Sequence, residues 1–530
     1  MTLATVGDHA TTGDHVPNVT GPSGTTSAAQ HSRQVIVKRH STETNAPIAV
    51  LPRLFGDYDL RSASLRVRLM KRPHLIFVLM LFGALLRLDQ VRAEGGVPGA
   101  EWEHAPPAAS GWSEAGLAQA RAFSEQMRSS AVVIVQHGKV VAEWGDTTKP
   151  MELASIRKSL LSALIGIAVS DHRINLDSTL GELGIDDNPP ALTEVEKGAT
   201  VRQLLEARSG IYHSALYEEP RMARMRPPRG SHAPGTFWYY NNWDFNALGT
   251  IYEHATGAGI FEALYRQIAR PIGMQDYKPA DGSYVRGAAS IHPAYAIRMS
   301  ARDLARFALL YLHKGNWAGH QIVPEAWVQE STRAYSKAPT GQGYGYLWWI
   351  GFMGGAVAPT VTLPEGSYLA AGAGGQYALV APALDLVVVH RVDRDTPSTE
   401  PSLRGIGRLL WLILKARGFD AGPDASLAAA TGERPKGEDL PAKFVGRTIS
   451  FGAAMKDGPF TMRFEPDGRI SYPHWDETLG PATGTWTVAD DKLCVVGVHH
   501  RCYLPVLNGD RVELFDKLGV MQIDAVMLPR

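Results

Sequence analysis

The amino-acid sequence predicts an α+β domain followed by a smaller all-β one. Up to about residue 415, helical apolar periodicity alternates with short strand pairs. A stretch rich in Ala, Gly, Pro and charge follows at Phe419 to Asp439. Beyond it the texture turns to short alternating runs, split by Asp467-Gly468, Asp490-Asp491 and Asn508-Gly509 turns. At 530 residues the chain exceeds what one hydrophobic core organises, so two folded units plus tails are expected.

Residues 1–69 are rich in Thr, Ser, His and Gly and lack a sustained apolar period, so they read as disordered. At Met70 the character changes. Lys71 and Arg72 precede the apolar run Leu75 to Leu86, and Val91-Arg92-Ala93 has the small-residue look of a cleavage site, the layout of a signal peptide over 70–93. Arg87 and Asp89 cut the run short of the ~20 apolar residues that a membrane span needs, so cleavage after Ala93 is expected. A signal peptide works at a chain's start, which makes Met70 the expected initiator and 1–69 the product of a misplaced start codon. The alternative is a signal anchor with a cytoplasmic tail. Either way the folded protein is expected outside the cytoplasm, periplasmic or secreted.

The first folded unit is placed at 94–418. Ser113 to Arg128 has a capped helical pattern, and Ala131 to Trp144 reads as two strands joined at His137-Gly138-Lys139. Ser155 to Val169 is apolar on most faces with small Ser159, Ser162, Ala163 and Gly166, as suits a helix buried in a domain centre with Ser155 at its N-terminal end. A second capped helix begins near Thr200. Glu218 to Pro234 reads as an irregular loop able to line a cleft, and Asn246 to Thr256 returns to helix. After Ser300 an amphipathic helix resumes, and Tyr344 to Ile350 looks like a strand. Tyr377 to Val380 and Leu386 to His390 flank a turn signal as an antiparallel pair, and Gly405 to Lys415 closes the domain as a helix. A linker is expected at 419–440. A small β domain is expected at 441–530, with strands at Phe460 to Phe464, Gly484 to Val488, Lys492 to Val496 and Val512 to Phe515.

Lys and Arg number 53 against 53 Asp and Glu, so no net charge favours a polyanion, and a nucleic-acid partner is not expected. The two cysteines, Cys494 and Cys502, lie close together, and export makes a disulfide between them the expected outcome. A zinc site from Cys494, His499, His500 and Cys502 is the competing reading, but its spacing matches no standard ligand pattern. No metal and no organic cofactor is expected.

Chemistry concentrates in three places. Ser155-Ile156-Arg157-Lys158 sets a hydroxyl and an amine about one helical turn apart on one face, where the amine can take the hydroxyl proton if burial and nearby positive charge depress its pKa. Tyr240 and Asn242 form a Y-x-N. A Tyr beside a cationic Lys is expected to have a lowered pKa and to shuttle the leaving-group proton, with Asn242 bonding Lys158 and the substrate amide. Gly372-Ala373-Gly374-Gly375-Gln376 precedes a strand, and its glycines permit close approach. A backbone N–H there, with that of Ser155, would make a two-donor oxyanion hole. Tyr217, His213, His232 and Trp238 are read as packing or loop-anchoring groups on the cleft rim.

Taken in order, these elements resemble the β-lactamase-related serine hydrolases, especially the class C β-lactamase, esterase and 6-aminohexanoate-dimer hydrolase branch. The resemblance covers about residues 110 to 415. It is reinforced by Val201 to Gly210 followed by Tyr212-His213, by the run Gly230 to Gly249, and by Met299-Ser300-Ala301-Arg302-Asp303-Leu304. It implies a β-lactamase/transpeptidase-like fold, an antiparallel sheet with helices on both sides and a helical subdomain. It also implies Ser155 as nucleophile, Lys158 as base, Tyr240 as proton relay and Asn242 as a positioning group. The glycine segment Gly374, Gly375 and Gln376 would position the substrate, with Gln376 supplying an oxyanion N–H. The third motif departs from the family, because Ala373-Gly374-Gly375 stands where true β-lactamases offer Lys-Thr-Gly or a similar cationic triplet. No cation is therefore expected there to hold a β-lactam carboxylate, and small esters, amides or short peptides are favoured as substrates. A D-amino-acid-directed peptidase or weak β-lactamase is the second expectation, and a non-catalytic envelope-peptide-binding protein the third. A membrane would be engaged only through an uncleaved anchor. The sequence names neither the substrate, nor the role of the β domain, nor an oligomeric state.

Overall fold

A computed structural model describes residues 96–338, 341–351, 361–396, 401–455, 458–472, 483–497 and 500–529, all within one compact unit, Phe82–Arg530. The expected tail and signal segment, 1–69 and 70–93, lie outside the described residues, as does His499. No helix among the described residues is long and apolar enough to cross a membrane.

In chain order the sheet domain begins with helix α1 (Glu114–Gln126), capped by the Ser113 side chain, which accepts from Gly116 N. Strands β1 (Ala131–Gln136) and β2 (Lys139–Gly145) follow, then helices α2 (Arg157–Ser170), α3 (Asn242–Thr256) and α4 (Ala301–Leu312). Short strands β3 (Ser336–Lys337), β4 (Gly343–Tyr344) and β5 (Trp349–Ile350) lead into β6 (Tyr368–Gly372), β7 (Gln376–Ala381) and β8 (Leu386–Arg391), and helix α5 (Leu403–Ala416) closes the domain. These strands make one eight-stranded antiparallel sheet in the order β2-β1-β8-β7-β6-β5-β4-β3.

The central strand β1 is buried along its whole length, which is why it reads as an unbroken apolar run rather than an alternation. Val132 and Ile134 point to one face, where Leu117 of α1 and Ile406, Leu409 and Ile413 of α5 cover them. Val133 and Val135 point to the other, against Leu160 and Leu164 of α2 and Leu304 and Phe307 of α4. Each such buried side chain contributes roughly 1.5–3 kcal/mol of transfer free energy. The β1–β2 turn has His137 and Gly138 both at positive φ, 51° and 71°, the geometry that a two-residue hairpin favours. A Cβ on Gly138 would fall 1.4 Å from Gly96 O, so no other residue fits there.

This is the fold expected from the resemblance, an antiparallel sheet with helices on both sides. The helical subdomain is built from α3 and short helices such as Glu194–Lys197, Val201–Leu205 and Ile260–Leu264. The expected irregular loop Glu218 to Pro234 contains one short helix, Pro220–Met225, started by proline at its first position. The expected single strand Tyr344 to Ile350 is instead the hairpin β4–β5. Gly345 N donates to Trp348 O at 2.9 Å and Leu347 turns at φ 66°, so that Tyr346 and Trp348 point into the core, where neither has any exposed surface.

Eight strands between Thr448 and Met527 form a closed barrel in which each strand is antiparallel to the next and the last returns to the first. Its interior is filled by side chains, among them Phe464, Leu493, Val512 and Leu514. A short helix α6 (Asp439–Phe444) adds Leu440 and Phe444 to the same core, so the barrel unit starts at the end of the expected linker. The rest of 419–440 is not a free tether. Glu433 and Leu507 exchange both backbone hydrogen bonds, at 2.8 and 2.9 Å, and Leu427 N donates to Gly519 O at 2.8 Å. Small apolar side chains explain this, since Ala425, Leu427 and Ala430 lie flat on Val506, Phe515 and Met521. Arg404 of α5 donates to Met521 O at 2.8 Å and ties the sheet domain to the barrel. Cys494 and Cys502 face each other on adjacent strands and are joined in a disulfide. Their sulfurs are therefore not available to a metal.

Gly166 of α2 packs on Trp327, and a Cβ there would lie 2.2 Å from Trp327 Cγ. Helix propensity favours alanine by about 1 kcal/mol, whereas forcing a methyl into a filled core costs about 1–3 kcal/mol. Gly166→Ala is expected to lower stability by up to about 2 kcal/mol, read from the urea midpoint.

Candidate active site

The segment entering the site is fastened before it turns. Met151–Glu152 pairs with Arg298 and Met299, and the fully buried Arg391 donates to Met151 O and Glu152 O at 2.9 Å and to Met299 O at 2.8 Å. Leu153 N then bonds Ile297 O at 2.9 Å. Ala154 takes φ 47°, a left-handed conformation that costs a side-chain-bearing residue roughly 1–2 kcal/mol, and one tight turn, Ala154–Ile156, lifts Ser155 to the head of α2. Ser155 is part-exposed there, while Ile156, Arg157 and Lys158 are buried.

Lys158 Nζ lies 2.6 Å from Ser155 Oγ. Burial first, and the Arg157 guanidinium second, hold this amine well below the ordinary lysine range, with Glu219 opposing them weakly. The amine also sits 4.9 Å from the Tyr240 ring centre and 5.1 Å from that of Phe245. The geometry therefore sets an amine of lowered pKa within hydrogen-bond reach of the Ser155 hydroxyl.

Tyr240 meets the same hydroxyl, since its phenol is hydrogen-bonded with Ser155. Its pKa runs against the expectation of a lowered value. Burial pushes the phenol up to about 12, more than its bond to Ser155 and the Arg157 charge pull it down. Asn242, 3% exposed at the start of α3, does not bond Lys158 as expected. Its Nδ2 donates to Tyr217 O at 2.5 Å, and its Oδ1 makes no hydrogen bond.

The glycine segment is the β6–β7 turn, with Gly372 paired to Gln376. A Cβ on Gly372 would fall 2.5 Å from Leu153 O and 3.0 Å from Ser155 N, so this glycine lets the two main chains touch. Ala373, next in sequence, is part-exposed, whereas Gly374, Gly375 and Gln376 are buried. Within this turn the contact with Ser155 N is made at Gly372. The Gln376 side chain accepts from Arg391 Nε at 2.7 Å and donates to Val392 O at 2.8 Å, a structural use. The expectation that no cation stands at this motif also needs correction. Arg394 comes from beyond β8 to lie against the turn, where a Cβ on Gly374 would be 2.8 Å from its Cδ. Its guanidinium sits 3.6 Å from Glu152 and 3.7 Å from Glu219.

Arg157, inside the S-x-x-K motif, supplies the positive charge expected near Lys158, and two further groups, Asp244 and Trp349, were not singled out from sequence. Arg157 is wholly buried, with its Cζ 4.3 Å from the Tyr295 ring centre and 5.4 Å from that of Tyr217, and no carboxylate pairs with it among the described residues. Its place inside S-x-x-K was the available signal. Asp244, one turn into α3, accepts from Ser209 Oγ at 2.5 Å and Asn241 Nδ2 at 3.0 Å, and burial pushes its carboxyl well above the usual range. Trp349 stacks on Tyr240 at 5.4 Å and Trp238 packs against both Trp349 and Tyr344, which makes an aromatic wall beside Ser155. Of the groups read as packing, His232 stacks on Phe237 at 4.0 Å and His213 lies 3.8 Å from Glu196, whereas Tyr217 is drawn into the site by Arg157 and Asn242.

Residues 115–410 match the family model described as beta-lactamase. A curated protein of Alkalihalophilus pseudofirmus, itself uncharacterised, is 22% identical over 302 residues, covering 49% of this chain and 82% of its own. A Bacillus anthracis structure provisionally described as a 6-aminohexanoate-dimer hydrolase is 21% identical, with TM-score 0.43, covering 56% of this chain and 82% of that one. A β-lactamase structure from Mycobacterium bovis is 20% identical, with TM-score 0.39, covering 56% and 99%. The family match spans more than half of the sequence, and the chain belongs to the beta-lactamase family, whose members are in general serine hydrolases of amides and esters.

Proposed function

We propose that this chain is an acyl-enzyme hydrolase of small esters, amides or short peptides, with Ser155 as nucleophile and Lys158 as its base. The observation that carries the reading is the 2.6 Å contact between Ser155 Oγ and an amine whose pKa burial and Arg157 hold well below the ordinary lysine range. In this mechanism Ser155 Oγ attacks the carbonyl carbon as its proton passes to Lys158 Nζ. The oxyanion is met by the Ser155 N–H and by an N–H of the Gly372 to Gln376 turn. Tyr240, kept a phenol by its raised pKa, gives its proton to the leaving group and is reprotonated from the Lys158 ammonium. Water then attacks the acyl-enzyme, its proton returns through the same pair, and the acid leaves. Asn242 Oδ1 is an open acceptor for a substrate N–H. No step calls for a metal or organic cofactor. An exported setting, periplasmic or secreted, is supported by the Cys494–Cys502 bridge.

A second reading, a D-amino-acid-directed peptidase or weak β-lactamase, is favoured by one observation, Arg394 beside the turn where a substrate carboxylate would lie.

Treating the native protein with a fluorophosphonate is expected to give a single adduct on Ser155, absent in Ser155→Ala. An unlabelled native protein would overturn the enzyme reading in favour of a cleft that only binds envelope peptides. Arg157→Met removes the charge that helps keep Lys158 neutral, so the Lys158 pKa rises toward its ordinary value. The acid limb of kcat/KM for a p-nitrophenyl ester is therefore expected to move to higher pH. If Arg394 receives a carboxylate, Arg394→Met lowers kcat/KM for nitrocefin by about tenfold or more while leaving an uncharged ester unaffected. Equal effects on both substrates would remove the second reading.

A further inference from the structure

His390 stands on β8, 1% exposed, and its ring touches two polar groups. Nδ1 lies 2.7 Å from Gly375 O, and Nε2 lies 2.7 Å from Ser129 Oγ. Burial draws the imidazole down to about 4, the Gly375 contact resisting and the Arg391 charge assisting, so at neutral pH the ring carries one N–H. A carbonyl oxygen can only accept. The hydrogen therefore sits on Nδ1, and Nε2 accepts from the Ser129 hydroxyl. The Ser129–His390–Gly375 chain is complete in this one arrangement, and either partner alone would leave a buried ring nitrogen unmatched.

The turn at the other end of this chain needs such support. Gly374 and Gly375 are consecutive left-handed residues, φ 79° and 85°, and glycine has almost no preference of its own for that conformation. What holds the turn is its two carbonyls. Gly374 O accepts from Gln376 Nε2 at 3.2 Å, and Gly375 O accepts from His390. In a trans peptide the C=O of one residue points opposite to the N–H of the next, so pinning the Gly374 and Gly375 carbonyls also sets the direction of the Gly375 and Gln376 amides. The same turn carries Ala373, next to the glycine that touches Ser155 N.

We propose that His390, oriented by Ser129, is a positioning residue for the oxyanion side of the site, holding the Gly372 to Gln376 turn so that its amide faces the carbonyl attacked by Ser155. This rests on the reading of Ser155 as nucleophile. The Ser129–His390 pair is not itself a second nucleophilic dyad, because so weak a base cannot take the serine proton at neutral pH.

The test uses the full chain with His390→Leu, His390→Asn and Ser129→Ala. Three quantities are read: the rate of fluorophosphonate labelling of Ser155, kcat and KM for a p-nitrophenyl ester, and amide hydrogen exchange of the peptide covering 370–377. His390→Leu is expected to slow labelling and kcat by about 10- to 100-fold, with KM changed by less than about threefold, and to speed exchange in the turn. His390→Asn, whose side-chain N–H can still reach Gly375 O, is expected to recover most of the rate and the protection. Ser129→Ala should fall between the two. A folded Leu variant with native rate and exchange, or an Asn variant no better than Leu, overturns the proposal. So does an adduct on Ser129. If the Leu variant does not fold, the order of the Asn and Ser129→Ala variants decides. If the native protein is not labelled at Ser155, the nucleophile reading fails, and the exchange comparison still decides whether His390 holds the turn.

Discussion

Two basic side chains, Arg157 and Lys158, enter the core side by side at the start of one helix, and burial together with the Arg157 charge holds the Lys158 amine well below its ordinary range. Among the described residues no carboxylate pairs with Arg157; the electron-rich faces of Tyr217 and Tyr295 meet it, with the Asn246 amide oxygen at 3.3 Å. A carboxylate partner would have offset the positive potential that lowers the lysine pKa. The aromatic lining is thus an electrical choice as well as a packing one.

That arrangement demands rigidity around it. An amine 2.6 Å from a hydroxyl is useful only if neither group can retreat, and the main chain on both sides is held in place. On one side the Arg391 side chain gathers two carbonyls of the strand entering Ser155 and one, Met299 O, of the strand paired with it. On the other, Gly372 lets the β6–β7 turn come within touching distance of Ser155 N. Arg391 also holds Gln376, so a single buried cation connects the nucleophile's strand to the turn facing it.

Much of this was legible from sequence, and the physical reason differs by element. The buried helix, the β1–β2 hairpin, the caps at Ser113 and Thr200 and the paired cysteines depend on local pattern and were anticipated. Ser155, Lys158 and Tyr240 sit at short spacings that carry their chemistry with them. What could not be read was anything set by contact between distant segments. Arg394 reaches the glycine turn from beyond β8, Asn242 turns to Tyr217 rather than to Lys158, and Gly372 touches Ser155 N. The sign of the Tyr240 shift was misjudged for the same reason, because it is set by burial in the fold. The segment 419–440 looked like a tether by composition, yet its small apolar residues are what lay it against the barrel.

The pairing of β1 with β8 brings together the two ends of the catalytic domain, and Ser129 and His390, which sit beside that pairing, are 261 residues apart. Such distant closure is slow, because chain entropy is lost before the contacts return it. Arg391, at the end of β8, fastens the strand entering Ser155, so that strand lacks its fastening until this closure is made. On the proposed reading of Ser155, its alignment is then a late property of the finished domain.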